Sequence, residues 1–216
     1  MYVDLHTHTY PASSCSRISL RDYIASCADA GVEAIALTNH GNVGDNRTLE
    51  GALAAEGVLL IHGVEISTLF GDFVIFCPDL DYLATFRDVQ DFVRAGQLRD
   101  DAAMVWVHPA AGGGRSGSAY YQGLERMVAD SIHAVEVFNG SWLGEKYVQA
   151  AEQIAGQLGL PRTGGSDAHD PAELMACYTE LPDPVRSTAD VVDAIKRGRT
   201  VPHRRKAVKR RRFGIF

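Results

Sequence analysis

The first residues of the chain include two histidines that can bind one metal ion. Asp4, His6 and His8 alternate within the segment Asp-Leu-His-Thr-His-Thr. In an extended strand alternate side chains lie on one face, so both imidazoles are within reach of a single cation. An isolated His-x-His is equally compatible with an ordinary strand. Other histidine and carboxylate residues must therefore decide whether the motif indicates a metal site.

The elements that would position these residues alternate along the chain. Short β-branched runs predict strands over residues 3–8, 32–38, 58–66, 73–77, 103–108, 133–139 and 161–167. Helical patterns cover residues 20–30, 48–56, 81–99, 120–129 and 144–158, with Ser19 as the first N-cap and Gly31 as the first stop. This alternation predicts an α/β fold with a parallel sheet and crossover helices, most simply a small, irregular (β/α) barrel.

Polar residues with metal-binding side chains recur where the predicted strands end. The residues at these ends are His6, His8, Asn39, His40, Glu65, His108, Glu136, Asn139, Asp167 and His169. Any one of them alone is often a hydrogen-bonded structural residue. Barrel enzymes assemble their sites at the C-terminal ends of the strands, so residues that are remote in sequence meet there. The whole set therefore predicts one shared metal site.

The same residues lie in motifs that resemble those of the PHP (polymerase and histidinol phosphatase) superfamily. In order, between residues 4 and 169, they are Asp-Leu-His-Thr-His-Thr, Leu-Thr-Asn-His-Gly, Gly-Val-Glu-Ile, Val-His-Pro, Val-Glu-Val-Phe-Asn-Gly and Gly-Gly-Ser-Asp-Ala-His. The resemblance implies a distorted (β/α)7 barrel that binds two or three divalent metal ions. It also implies hydrolysis of phosphate esters, which is the activity of most free-standing members.

Carried over to this chain, the resemblance implies a division of metal ligands. The first metal would be held by His6, His8, Glu65 and Asp167. Glu65 would bridge to a second metal that His108 shares, and a third would be bound by His40 and His169. Imidazole and carboxylate ligands suit zinc, manganese or iron. The first lysine in the chain is Lys146, so no lysine on the early strands can serve as a carboxylated bridge.

The chain departs from the family pattern at three places. Asn39 precedes His40 where many relatives have an aspartate. Residues 14–16, where relatives usually supply a ligand to the third metal, are Ser-Cys-Ser, so we expect the third site to bind its cation more weakly than the first. Residues 66–107 contain no histidine, so the usual extra ligand of the second metal is missing, and Asp72 or water are the alternatives.

The predicted chemistry is hydrolysis of a phosphomonoester or phosphodiester. The attacking group would be a hydroxide between the two metals that Glu65 joins. His169 or His40 would protonate the leaving oxygen. Arg115, in the glycine-rich loop 111–117, and Arg17 are candidate phosphate contacts, although the loop is equally compatible with a simple connection. A small phosphorylated substrate, a nucleotide or an oligonucleotide all fit. The alternatives are an amide or lactone metallohydrolase and a non-catalytic metal-binding module docked to nucleic acid.

Composition sets the remaining expectations. The chain has 216 residues and no apolar stretch of membrane-spanning length, which predicts a soluble, cytoplasmic protein with one domain over residues 1–202. Four cysteines without a Cys-x-x-Cys pair are expected to be reduced core thiols. Residues 203–216 contain seven basic and no acidic residues; because the net charge is −6, residues 1–202 have a net charge of −13. This basic tail is either a solvated terminus or a contact for polyanions.

Overall fold

A nine-stranded mixed sheet forms the framework of the protein. The computed structural model describes residues 1–68, 71–87, 98–111, 131–142, 144–182 and 184–205. The strands are β1 (Tyr2–Asp4), β2 (Ala34–Leu37), β3 (Leu59–Thr68), β4 (Gly71–Phe76), β5 (Ala103–Val107), β6 (Ala134–Asn139), β7 (Arg162–Gly165), β8 (Cys177–Glu180) and β9 (Val201–Arg204). Their order in the sheet is β7-β6-β5-β4-β3-β2-β1-β8-β9.

Strand direction differs from the fully parallel sheet that the sequence predicted. The pairs β1–β2, β2–β3, β5–β6 and β6–β7 are parallel, whereas β4 is antiparallel to both β3 and β5. Only residues 69–70 separate β3 from β4, which is too short for the crossover that a parallel pair requires. β8 and β9 add two further antiparallel pairings. The α/β barrel class is confirmed, but the exact (β/α)7 count is not.

The sheet curls until its two parallel halves nearly meet. Residues after β1 and after β7 lie side by side, joined by a parallel bridge between Thr7 and Ala168. The Asp167 amide donates to the His6 carbonyl at 2.8 Å, and the His8 amide donates to the Ala168 carbonyl at 3.2 Å. The result is a nearly closed, barrel-shaped sheet in which the ends of β1 and β7 share one rim.

Five α-helices are present in the described residues. They are α1 (Leu20–Asp29), α2 (Gly44–Ala55), α3 (Leu80–Leu83), α4 (Glu145–Leu158) and α5 (Thr188–Lys196). Ser19 caps α1 by accepting a hydrogen bond from the Asp22 amide at 3.2 Å, and Gly31 follows with φ of +61°. These features match the predicted start and stop of that helix. No described helix has the length and apolarity to cross a membrane.

Several predicted boundaries differ from the structure. The helix predicted over residues 81–99 is short: α3 ends at Leu83, residues 84–87 are not helical, and residues 88–97 lie outside the described part. The helix predicted over residues 120–129 also lies outside it. α5, β8 and β9 were not predicted. β9 contains His203 and Arg204, the first residues assigned to the tail; residues 206–216 are outside the described part, so the domain boundary stays a prediction.

Apolar side chains cover both faces of the sheet. In β2, Ala34 and Ala36 pack into a cluster with residues of β1, β4, β5 and α5. Ile35 and Leu37, which alternate with them, pack instead against α1 and α2. Because both faces are buried, the register of each strand is fixed, and the residues at the strand ends are held by a rigid framework.

Candidate metal centre

The seven predicted metal ligands converge at one end of the barrel. They are His6, His8, His40, Glu65, His108, Asp167 and His169. Their positions relative to the strands differ from the prediction in two cases. β1 ends at Asp4, so His6 and His8 lie beyond the strand, and Glu65 lies inside β3, which continues to Thr68. Glu65 still faces the site because its backbone pairs with His40, which lies three residues beyond the end of β2.

Glu65 is the centre of the cluster. Its side chain is 1% exposed, and its Oε2 atom lies 3.4 Å from His6 Nε2, 3.3 Å from His8 Nε2 and 3.0 Å from His40 Nδ1. The other oxygen, Oε1, lies 3.1 Å from His108 Nε2. One carboxylate therefore presents one oxygen to three imidazoles and the other oxygen to a fourth, which is the arrangement that a bridging ligand requires.

Asp167 closes the other side of the cluster. Its Oδ1 atom lies 3.3 Å from His8 Nε2, 3.6 Å from His6 Nε2 and 3.6 Å from His169 Nδ1. Asp167 and His108 both have positive φ, +53° and +31°, a conformation that costs non-glycine residues of order 1–3 kcal/mol. Strain of this kind is found at functional sites, where the surrounding structure over-determines the backbone.

The donor atoms form three overlapping groups that fit metal ions. His6, His8 and Asp167 form one group; His6, Glu65 and His108 form a second; and His8, His40 and His169 form a third, with ligand atoms within 4.8 Å of one another in each. In the described part of the chain, His6 Nε2, His8 Nε2 and Glu65 Oε2 are buried without a hydrogen-bond partner. Unpaired buried polar atoms are costly, and a cation among them would satisfy all three.

Glu136, which the sequence placed among the strand-end residues without an individual role, orients His6. Its Oε1 atom lies 3.1 Å from His6 Nδ1, while Oε2 accepts hydrogen bonds from the His108 amide at 2.9 Å and from Asn139 Nδ2 at 2.8 Å. With its Nδ1 proton directed to Glu136, His6 keeps the Nε2 lone pair for a cation. Asn139 Nδ2 also lies 3.3 Å from Asp167 Oδ2 and so joins the two carboxylates.

Two other acidic or amide residues support the backbone around the site. Asp4 accepts hydrogen bonds from the Ser166 amide and the Met175 amide, both at 2.8 Å, and burial raises its pKa to about 6. Asp4 therefore holds the chain after β7 and lies among backbone donors. Asn39 Oδ1 accepts from the Thr9 amide at 2.8 Å, so this departure from the family pattern stabilises the loop that follows His8.

The histidine pKa values reflect the buried carboxylates. Burial would lower the pKa of His6, but Asp167, Glu136 and Glu65 raise it well above its usual value. For His108, burial is likewise outweighed by Glu65, and the pKa is raised to about 9. For His8 burial prevails and lowers the pKa to about 4. Without metal, protons on imidazoles balance the carboxylates, and a divalent cation would displace those protons.

Asp72 lies beside His108, on the side away from Glu65. Its Oδ2 atom is 3.7 Å from His108 Nδ1, whereas Glu65 approaches Nε2 of the same ring. The antiparallel pairing of β4 with β5 sets Asp72 opposite Val107, next to His108. Burial raises the pKa of Asp72, and the charge of Glu65 raises it further. Asp72 therefore makes an ion-pair contact on the Nδ1 side of His108 and does not lie on the Nε2 side, which faces Glu65.

Of the two arginines predicted to contact phosphate, the described residues include only Arg17. Arg17 is exposed and lines a cavity of about 430 Å³ together with Cys15, His169, Asp170, Ala172 and Glu173. Its amide donates to the His169 carbonyl at 2.8 Å, so it lies directly beside the cluster. Arg115 lies outside the described residues.

Cys15 is exposed, unlike the other three cysteines, and the prediction that all four are core thiols is wrong for this residue.

Comparisons with known proteins agree with this arrangement. The PHP domain family model matches residues 4–107, and the PHP-associated family model matches residues 147–200. No curated protein matched the sequence.

Among solved structures, PsfC from Pseudomonas syringae is 20% identical with a TM-score of 0.68, covering 91% of this chain and 93% of that one. A two-domain protein from Bacteroides vulgatus, containing a predicted PHP-like metal-dependent phosphoesterase, is 22% identical with a TM-score of 0.72, covering 94% of this chain and 64% of that one. An amidohydrolase from Chromobacterium violaceum, with bound sulfate and no metal, is 16% identical with a TM-score of 0.63, covering 94% and 97%. At these identities the likeness describes the fold. The family matches, which agree with the cluster at the barrel rim, identify the chain as a member of the PHP domain family.

Proposed function

We propose that the protein is a metal-dependent phosphoesterase. The observation that carries the proposal is Glu65, whose Oε2 atom faces His8 and His40 while its Oε1 atom faces His108. This geometry suits two divalent cations of zinc, manganese or iron, with a third at His40 and His169. Bound cations would neutralise charge on a phosphoryl group and lower the pKa of a coordinated water.

The residues around the cations have distinct tasks in the proposed reaction. His6, His8 and Asp167 are buried and, with Glu65, would hold the first cation, while Glu65 and His108 would hold the second. His40 and His169 are more exposed, at 42% and 29% of their side chains, and lie at the rim where a leaving group departs. Either imidazole can donate the proton that the leaving oxygen needs when it is not a ligand.

The cavity beside His169 favours a small phosphoester over an oligonucleotide. Arg17 provides one guanidinium for a phosphate oxygen, and Asp170 and Glu173 add negative charge to the same cavity. Residues 1–202 have a net charge of −13, which opposes the approach of a polyanion. A monophosphate with a compact leaving group therefore fits this surface better than a nucleic-acid strand.

A substrate panel tests the proposal directly. Protein stripped with chelator and reloaded separately with Zn, Mn or Fe is assayed on sugar phosphates, amino-alcohol phosphates, mononucleotides and short oligonucleotides, with cyclic amides and lactones in parallel. We expect metal-dependent release of phosphate from small esters, abolished in Asp167→Ala. Faster turnover of amides or lactones would favour the amidohydrolase alternative, for which the Chromobacterium neighbour gives a precedent in fold. Metal binding without turnover of any substrate would favour the non-catalytic module.

A further inference from the structure

Cys15 lies at the edge of the His40 and His169 group. Its Sγ atom is 3.1 Å from His169 Nε2, and its side chain opens into the cavity described above. The loop that carries it is fixed on both sides. Ser13 Oγ donates to Asn39 Oδ1 at 2.8 Å, and Ser16 Oγ donates to the His8 carbonyl at 3.0 Å. The thiol is therefore held beside the imidazole by the surrounding loop.

The tautomer of His169 directs a lone pair towards this thiol. His169 Nδ1 lies 2.8 Å from the Asp167 carbonyl oxygen, which can only accept a hydrogen bond, so Nδ1 carries the proton. Nε2 is then the atom available to a cation or to the thiol proton. Metal–nitrogen bonds of about 2.0 Å and metal–sulfur bonds of about 2.3 Å separate two ligands of a tetrahedral ion by about 3.5 Å, so Sγ would move away from Nε2 by about 0.4 Å on binding.

A second observation for a cation here is that His8, which the thiol does not touch, belongs both to the group with His6 and Asp167 and to the group with His40 and His169. His8 Nε2 and Glu65 Oε2 have no hydrogen-bond partner within the described residues, and both side chains are at least 99% buried. Each belongs to or borders the group in which ring nitrogens of His8, His40 and His169 lie within 4.8 Å of one another. Glu65 Oε2 is 3.0 Å from His40 Nδ1. His8 and His40 therefore border the space between the three imidazoles, where a third cation would bind.

We propose that Cys15 is a thiolate ligand of the third cation, beside His40 and His169, and that it biases this site towards zinc. Thiolates prefer zinc over the harder manganese ion, whereas a carboxylate at the same place would not. On binding, the S–H bond is lost, a sulfur–metal bond forms, and the proton leaves to solvent through the open cavity. The inference rests on the metal centre of the proposed function and is independent of the identity of the substrate.

Cobalt substitution of the full-length protein tests the proposal without relying on activity. Co²⁺ in a protein site gives visible d–d bands, and a thiolate ligand adds a charge-transfer band in the near ultraviolet. We expect the charge-transfer band in the wild type and in Ser14→Ala, a control at the neighbouring exposed residue. Cys15→Ser should lose that band and keep the d–d bands of the first site. Cys15→Asp should bind as many cobalt ions as the wild type but lack the charge-transfer band. This variant should also prefer manganese over zinc.

Alkylation of the wild-type protein provides a second measurement that needs no variant. Iodoacetamide labelling is quantified for each cysteine by mass spectrometry, with the buried Cys27, Cys77 and Cys177 as internal controls. We expect zinc to slow labelling of Cys15 by about 10-fold or more, because a coordinated thiolate is shielded. Cobalt d–d bands without a charge-transfer band, together with unchanged labelling, would overturn the role of Cys15 and leave the metal centre intact. Absence of all cobalt bands would overturn the metal centre itself, and the proposed function with it.

Discussion

Glu136→Gln is the substitution that most sharply tests how the site holds its first cation. The carboxylate is 2% exposed and has three hydrogen-bonding neighbours: His6 Nδ1 at 3.1 Å, the His108 amide at 2.9 Å and Asn139 Nδ2 at 2.8 Å. Glutamine has nearly the same shape but only one accepting oxygen. Whichever way its amide turns, an NH₂ group faces at least one donor, so one of these contacts becomes unfavourable.

The expected magnitude follows from the interaction with His6. A hydrogen bond to a charged group contributes about 1.5–3 kcal/mol, and losing it lets His6 adopt the tautomer that has a proton on Nε2. Nε2 is the atom that faces Glu65 Oε2 and Asp167 Oδ1, where the first cation would bind. Zinc affinity should therefore fall by about 10- to 100-fold, since 1.4 kcal/mol corresponds to a factor of ten.

The assay is competition for zinc against a chromophoric chelator, with circular dichroism to confirm folding. Glu145→Gln, an exposed glutamate at the start of α4, is the matched control and should leave affinity unchanged. An affinity within twofold of the wild type in folded Glu136→Gln would refute the argument. It would mean that His6 is oriented by something other than this carboxylate.

Three further predictions address the bridge, the protons and the tail. Glu65→Gln should lower kcat of hydrolysis by about two orders of magnitude or more with folding retained, because the amide is a neutral and poor bridging ligand; near-normal turnover would contradict the bridging role. In chelator-stripped protein, His108 has a folded-state pKa of about 9, above its usual 6.5, so its contribution to stability is complete below about pH 6.5 and is lost as the pH rises through 9. Melting temperatures of stripped protein should accordingly fall between pH 7 and pH 9.5, and His108→Gln should flatten that part of the profile; a fall of the same size in the variant would assign it to other groups. Deletion of residues 206–216, which keeps β9 intact, should change turnover of mononucleotides and oligonucleotides equally little at low salt; a loss confined to oligonucleotides and reversed by added salt would instead indicate a nucleic-acid substrate.

Much of the site is predictable from the sequence because the positions at which the strands end are themselves predictable. His6 and His8 are two residues apart, and His40 and His108 each come after a recognisable apolar run, whereas Asp167 follows the short segment Arg-Thr-Gly-Gly-Ser. Once these runs are assigned to one sheet, convergence of the residues at a single rim follows from barrel geometry. The exact bounds of the strands matter little for this inference, since Glu65 faces the site even though β3 continues three residues beyond it.

Contacts that depend on pairing direction or on loops could not be predicted in the same way. Asp72 lies beside Nδ1 of His108 only because β4 is antiparallel to β5. The run before Gly71 and the run after it are too close for a crossover, so a hairpin was the better interpretation of that segment. The approach of Cys15 to His169 joins two loops 154 residues apart, and no local pattern encodes it. By contrast, α5 did have a local signal, Ser187 accepting from the Asp190 amide as its N-cap.

The charges buried at the rim explain why this site needs cations at all. Four carboxylates lie there with at most 8% exposure: Asp4, Glu65, Glu136 and Asp167. In the described part of the chain, the basic groups that face the last three are imidazoles alone. An imidazole compensates a carboxylate only while it holds a proton, and burial already lowers the pKa of His8 to about 4.

Divalent cations would supply positive charge that does not depend on pH in this way, and would also satisfy the unpaired atoms of His6, His8 and Glu65. Binding of metal and stability of the barrel rim are therefore coupled, and the metal-loaded protein should unfold at a higher temperature than the stripped protein by an amount that grows with metal concentration.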